Sequence, residues 1–302
     1  MTSQPTLANW LTILALGVIW GGTFAVVSLA LTGYGPLTVA AARTTLGAAA
    51  LLVLMRAMGR PWPEGGRRLW LHVAAIGTLS TAVPFFLLSW GLQFVPSAFG
   101  GLAMAALPLF VLPMAHFFSD EPLSLRRAAG VVTGFAGALV LLGPGVLQVS
   151  GADLGPLGRL ACLAAAVSYA CASVLTRRCP PVDPIVLSAL TLMVGAAVLI
   201  PVMLLVEGVP GWSGATPGLA ILFLGLVPTA MAVLLRIMVI RSAGSVFMTL
   251  VNYQVPVWSM VIGWAALGED LPWRFFAALA LILAGLVVSQ WGALGRLFGP
   301  WR

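Results

Sequence analysis

SAFGGLAMAALPLFVLPMAHFFSDEPLSLR, residues 97–126, has a counterpart 148 positions later in SVFMTLVNYQVPVWSMVIGWAALGEDLPWR, residues 245–274. The ungapped shift sets Ser97 on Ser245, Phe99 on Phe247, Leu102 on Leu250 and Pro108 on Pro256. It goes on to set Glu121 on Glu269, Leu123 on Leu271, Arg126 on Arg274, and the pair Ala136-Gly137 on Ala284-Gly285. A constant offset over roughly forty residues reads as an internal duplication. Both copies share one layout: an apolar run with a proline inside it, a short acidic turn, then a second apolar run.

Composition says what solvent such runs need. Of 302 residues, 61% are hydrophobic and 8% charged, with a mean hydropathy of +1.07. A soluble domain of this length has too few polar residues here to cover its surface. Lipid is the fitting solvent, and a helix crossing about 30 Å of hydrocarbon needs ~20 mostly apolar residues. Ten such runs can be laid along the chain, at about 9–31, 37–55, 69–94, 97–118, 127–142, 159–176, 185–206, 219–240, 244–267 and 273–294. The first has no Lys or Arg before it and is longer than a signal core, so it is expected to be retained as a span. Prolines inside runs, such as Pro84, Pro108 and Pro228, are compatible with helix because neighbouring groups can take up the freed carbonyl. The fifth run carries Gly130 and Gly134, a small-xxx-small pair that invites close approach of another helix.

The duplicated unit therefore holds five spans. An odd number sends the second copy through the membrane inverted. The expected fold is an all-α polytopic membrane protein of ten transmembrane helices, arranged as two five-helix inverted repeats, 1–147 and 148–302. Such repeats are the architecture of alternating-access carriers, although some channels share it. Glu121 and Glu269 should then lie at opposite faces.

The net charge of +7 comes from arginine alone, since the chain has no lysine. Alternating the spans puts Arg56, Arg60, Arg67, Arg68, Arg126, Arg127, Arg177, Arg178, Arg241, Arg296 and Arg302 on one side. Only Arg159 and Arg274 fall on the other. The positive-inside bias makes the first side cytoplasmic, with both termini there. Topology thus accounts for the basic balance, and nucleic acid is not an expected partner.

Little in the sequence supports catalysis. No nucleophilic triad, zinc-binding helix motif or phosphate-gripping glycine loop is present. No cofactor or metal is expected. Cys162 and Cys171, nine residues apart on one predicted helix, sit on opposite faces and cannot bridge within it. With Cys179 they read as packing residues. All eight acids (Glu64, Asp120, Glu121, Asp153, Asp183, Glu207, Glu269, Asp270) fall in connections. Ion-driven carriers usually need an intramembrane carboxylate, so facilitated diffusion or exchange, or a proton path through histidine, is favoured. His72 and His116 sit near span ends and read as interfacial.

Two cations are different. Arg43 and Arg236 lie inside apolar runs, where a charge is expensive and faces a cavity or a partner. Each either binds a substrate carboxylate or bonds helix-end carbonyls; Arg236 is near enough to its span end to snorkel. In the ninth run Ser245, Thr249, Asn252 and Pro256 are spaced i, i+4, i+7, i+11. That is one helix face, flanked by Tyr253 and Gln254, and it either lines a cavity or bonds other helices. Trp20-Gly-Gly-Thr23 places an indole near mid-span, where it needs a polar partner or a wet cavity. Ser80, Thr81, Pro84, Phe85, Met104, Ser168 and Tyr169 complete the candidate wall, with plain core packing as the alternative.

Trp20-Gly-Gly-Thr-Phe24, Pro36 followed by Arg43, and two copies of a Pro-x12-Glu-x-Leu pattern resemble the EamA branch of the drug/metabolite transporter superfamily, over about 9–294. Within it the chain is similar to YddG-type bacterial exporters of aromatic and other neutral amino acids. The resemblance implies a central cavity lined mainly by the first, third, fourth, sixth, eighth and ninth spans. It implies export of small metabolites from the cytoplasm across a bacterial inner membrane. Phosphate-carrying relatives use lysine–arginine pairs, and this chain has no lysine. Small multidrug relatives use a membrane-embedded acid, also missing. The expected cargo is an amino acid or similar zwitterion, the expected surroundings a lipid bilayer, and the working assembly a monomer. The alternatives are another metabolite or drug class, or a channel-like facilitator. The candidate substrate-binding set is Trp20, Thr23, Ser80, Pro84, Phe85, Met104, Tyr169, Arg236, Ser245, Asn252, Tyr253 and Gln254.

Overall fold

The computed structural model describes residues 5–118, 124–144 and 153–298. Ten helices in it are long and apolar enough to span a bilayer: α1 Leu7–Leu31, α2 Pro36–Ala57, α3 Arg67–Gly91, α4 Ser97–Phe118, α5 Leu125–Leu142, α6 Gly155–Arg178, α7 Pro184–Val206, α8 Ala215–Ala243, α9 Val246–Leu267 and α10 Trp273–Gly292. Large apolar side chains such as Val53, Val132, Leu139, Leu205 and Phe276 stand exposed on their outer faces, as lipid contact requires. The protein is an all-α polytopic membrane protein.

Local chemistry sets the ends. Thr6 accepts from the Asn9 amide and caps α1. Pro36 and Pro184 each sit in the first turn of α2 and α7, where a missing N–H costs nothing. Asp183 accepts from the Ile185 and Val186 amides. α6 starts four residues earlier than the sequence pattern predicted, at Gly155. Pro156 opens that turn, so glycine and proline there begin a helix instead of ending a linker.

Helix packings come in pairs that exchange the two halves. α5 packs on α10 and α2 on α7; α1 packs on α9 and α8, as α6 packs on α4 and α3. This is the inverted duplication in three dimensions. Its details follow the offset of 148. α3 widens at Thr78–Ala82 and α8 at Gly225–Met231 into turns with i→i+5 spacing. Gly47 lies under the Thr229 side chain, and Gly195 under that of Thr81; the same shift of 148 sets Gly47 on Gly195 and Thr81 on Thr229. A side chain on either glycine would collide with the threonine.

The ten-span path defines two faces. Glu207 and Glu269 mark one, here the glutamate face. Arg60 and Arg241, both beside Asp183 at 3.4 and 3.9 Å, mark the other, the arginine face. Glu121 lies outside the described residues, so its predicted placement opposite Glu269 stands as an expectation.

Candidate functional site

The two wide turns create polar needs in the middle of the bundle. Pro228 has no N–H to give the Leu224 carbonyl. The Thr229 hydroxyl donates to that oxygen instead, at 2.7 Å. Its counterpart Thr81 donates to the Gly77 carbonyl. Side chains from neighbouring helices also reach in. Trp20 Nε1 on α1 donates to the Pro228 carbonyl at 3.2 Å, and Ser168 Oγ on α6 donates to the Leu79 carbonyl at 2.7 Å. Positions 20 and 168 are again 148 apart. The mid-span indole has its polar partner in α8.

Arg43 joins this framework. It is only 4% exposed. Its Nη2 donates to Thr229 Oγ1 at 3.3 Å, and its guanidinium carbon stacks 3.8 Å from the centre of the Phe85 ring. Tyr169 is close enough to interact electrostatically and packs against two of the bundle's hydrophobic clusters. One guanidinium thus links α2, α3 and α8, with Tyr169 of α6 nearby. Its Nε is buried with no hydrogen-bond partner. In the sequence Arg43 stands out as a costly charge and Phe85 as a wall residue, with no sign that the two meet.

Arg236 sits elsewhere. It follows Ala232 by four residues and precedes Val239 by three and Ala243 by seven, and all three are buried. It therefore shares the face that α8 turns towards α1 and α9, yet it is exposed.

On α9, Asn252, Tyr253 and Gln254 are half-buried. The Tyr253 hydroxyl is buried without a partner, and Gln254 lies against Gly17 of α1. Thr249 bonds its own helix at the Val246 carbonyl. The Ser245 side chain lies outside the described part. Thr23 is buried and donates to the Ile19 carbonyl of its own helix at 2.9 Å. Ser80 lies half-buried in the wide turn of α3, just ahead of buried Pro84; Met104 is half-buried on α4. The structure brings Phe85 and Tyr169 together around Arg43, with Trp20 one helix away on the Pro228 carbonyl.

The packing of α4 on α9 is one-sided. At the glutamate face, the Glu269 carboxylate accepts from the Ser97 amide at 2.6 Å and the Ala98 amide at 3.0 Å. Ser259 Oγ donates to the Ser97 carbonyl at 3.2 Å. Towards the arginine face, Leu107–Phe118 of α4 packs on α6 and α5, while Ser245–Met248 at the start of α9 packs on α8 and α10. A second carboxylate, Glu207, accepts from the Leu37 and Thr38 amides and from Thr38 Oγ1, at 2.7–2.9 Å, and fastens α7 to α2. A cavity of about 420 Å³ opens at the glutamate face between Phe94, Phe99, Arg159, Asp270, Arg274 and Phe275. It contains none of the predicted substrate residues. Among the described residues no cluster of His, Cys, Asp or Glu is fit to hold a metal.

Comparison with known proteins points to one family. The signature of the EamA-like transporter family matches twice, over residues 8–143 and 156–290. The chain belongs to the EamA-like transporter family. This EamA-like transporter is 25% identical over 280 residues to the uncharacterized transporter YoaV of Bacillus subtilis (strain 168), covering 92% of this chain and 94% of that one. It is 28% identical over 282 residues to the uncharacterized inner membrane transporter YedA of Escherichia coli (strain K12), covering 93% and 90%. A probable terminal-alkyne amino-acid exporter of Streptantibioticus cattleyicolor is 26% identical over 302 residues, covering 96% and 95%. A solved crystal structure superposes with a TM-score of 0.65 at 25% identity, covering 95% of this chain and 99% of that one. The protein is a membrane transporter, not an enzyme.

Proposed function

We propose that this transporter exports small zwitterions, aromatic or other neutral amino acids foremost, from the cytoplasm across a bacterial inner membrane by alternating access. The observation that carries the reading is the one-sided opening. α4 and α9 are clasped at the glutamate face and part towards the arginine face, where Arg236 is exposed on the inward side of α8. The positive-inside bias makes the arginine face cytoplasmic. The opening then faces the compartment from which cargo is taken.

The lining suits a small amphipathic molecule. Aromatic and thioether side chains (Trp20, Phe85, Met104, Tyr169) supply an adaptable apolar wall. Asn252, Gln254 and Arg236 supply hydrogen bonds for polar groups. One relative is named as a probable exporter of an amino acid, which favours the same class.

The test is transport by purified protein in vesicles, against a panel of labelled neutral amino acids, with and without a pH gradient. Saturable uptake that shows counterflow is expected for at least one aromatic member. Unitary currents in place of counterflow, or no transport of any member, would overturn the reading.

A further inference from the structure

We propose that Arg43, stacked on Phe85 and held by Thr229, is the group that recognises a carboxylate on the cargo. This rests on the reading of the protein as an amino-acid exporter and names the site that selects within that class.

Arg43 is buried among helices that place no acid near it; every described acidic residue lies at or beyond a helix end. A buried cation without a counter-charge is costly. Phe85 and Thr229 meet part of that cost through cation–π and hydrogen-bond contact. Five N–H donors are available to a guanidinium, and only one recorded bond uses them. The buried Nε–H has no partner at all. A carboxylate is the planar acceptor that a guanidinium binds through two donors at once.

What the fold needs, it has twice: Gly47 under Thr229 and Gly195 under Thr81, and the donors at 20 and 168. The cation and its aromatics occur once. Shifted by 148, Arg43 falls on Thr191, Phe85 on Val233, and Tyr169 corresponds to Gly21. In the second half the same threonine site is served without a charge: Thr81 donates to the Thr191 carbonyl at 3.4 Å. Framework packing at this junction therefore does not require an arginine. The one-sided set is what a cargo with a single anionic end would select.

The site lies between α2, α3, α6 and α8, next to both wide turns. Such turns are frequent at functional sites.

Competition and variants in vesicles test this. With labelled L-phenylalanine as probe, 3-phenylpropionate, which keeps the carboxylate, should compete. 2-Phenylethylamine, which lacks it, should compete at least tenfold more weakly. Arg43→Gln should raise KM for L-phenylalanine about tenfold or more, the loss expected for a charged hydrogen bond, and should erase the difference between the two competitors. Arg43→Lys keeps the charge without the planar fork and should fall between. Arg236→Gln should change rates for both competitors alike and keep the preference. Thermal unfolding of each variant in detergent separates a folding defect from a binding one, and the wild-type competition stands even if Arg43→Gln does not fold. Transport of L-phenylalanine with equal competition by the amine, or an unchanged preference in Arg43→Gln, overturns the inference and leaves the exporter reading standing. Transport of no amino acid overturns both.

Discussion

Single residues here have roles that their neighbours in sequence do not reveal. Trp20 is the plainest case. Its indole N–H bonds the Pro228 carbonyl 208 residues away, in a turn that a proline has already loosened. Trp20→Phe removes the donor and keeps most of the apolar surface. The expected loss is about 1 kcal/mol of stability, together with slower transport, because the bond ties α1 to the wide turn of α8. Trp20→Ala adds a cavity and should cost more, about 3 kcal/mol or above. Thermal unfolding and vesicle transport measured on both variants check this. Equal unfolding temperatures for wild type and Trp20→Phe would show that the hydrogen bond contributes nothing.

At the scale of helices, the tightest pairing is α5 against α10. A Cβ at Gly285 would stand 2.5 Å from the Gly130 carbonyl oxygen and 2.6 Å from the Gly134 amide. The backbones touch, so no side chain can give way. Gly285→Leu is expected to lose about 2 kcal/mol or more through overpacking, seen as a lower unfolding temperature in detergent. Unchanged stability would mean that the two helices do not meet this closely. Much at this scale was legible beforehand. Hydropathy located the ten spans, the offset of 148 gave the inversion, and the spacing of Gly130 and Gly134 announced a close contact. What escaped were features that no local pattern encodes. The wide turns at Thr78–Ala82 and Gly225–Met231 share no residue pattern that marks a widened turn, and only the second contains a proline. The bond from Glu269 to the start of α4 spans 172 positions. The meeting of Arg43 with Phe85 depends on how four helices cross. The substrate wall was assembled residue by residue for the same reason, and Thr23 shows the limit of that method: its hydroxyl is used by its own helix.

For the whole molecule the decisive question is what holds the glutamate face shut. Two carboxylates do so, and they differ. Glu207 joins α7 to α2, a pair that packs along its length and maps onto itself when the halves are exchanged. Glu269 joins α9 to α4, which already part at the opposite face. The alternating access proposed above would have to break the second clasp and could leave the first intact. In each, an anion meets the free amides at a helix N-terminus, where charge and dipole agree. An amide in place of the Glu269 carboxylate offers one acceptor oxygen for two donors and no charge. Weakening the clasp by about 1.4 kcal/mol moves the open–closed balance tenfold. Ser259, 1% exposed against Ser97, reports that balance. In a chain with Cys162, Cys171 and Cys179 replaced, a thiol at Ser259→Cys should react about tenfold faster with a membrane-impermeant reagent from the glutamate side when Glu269→Gln is added. Adding Glu207→Gln instead should lower thermal stability and leave the labelling rate unchanged. If Glu269→Gln leaves labelling unchanged, the carboxylate is a helix cap and not a gate, and the clasp must be sought in the apolar contacts of α4 with α9.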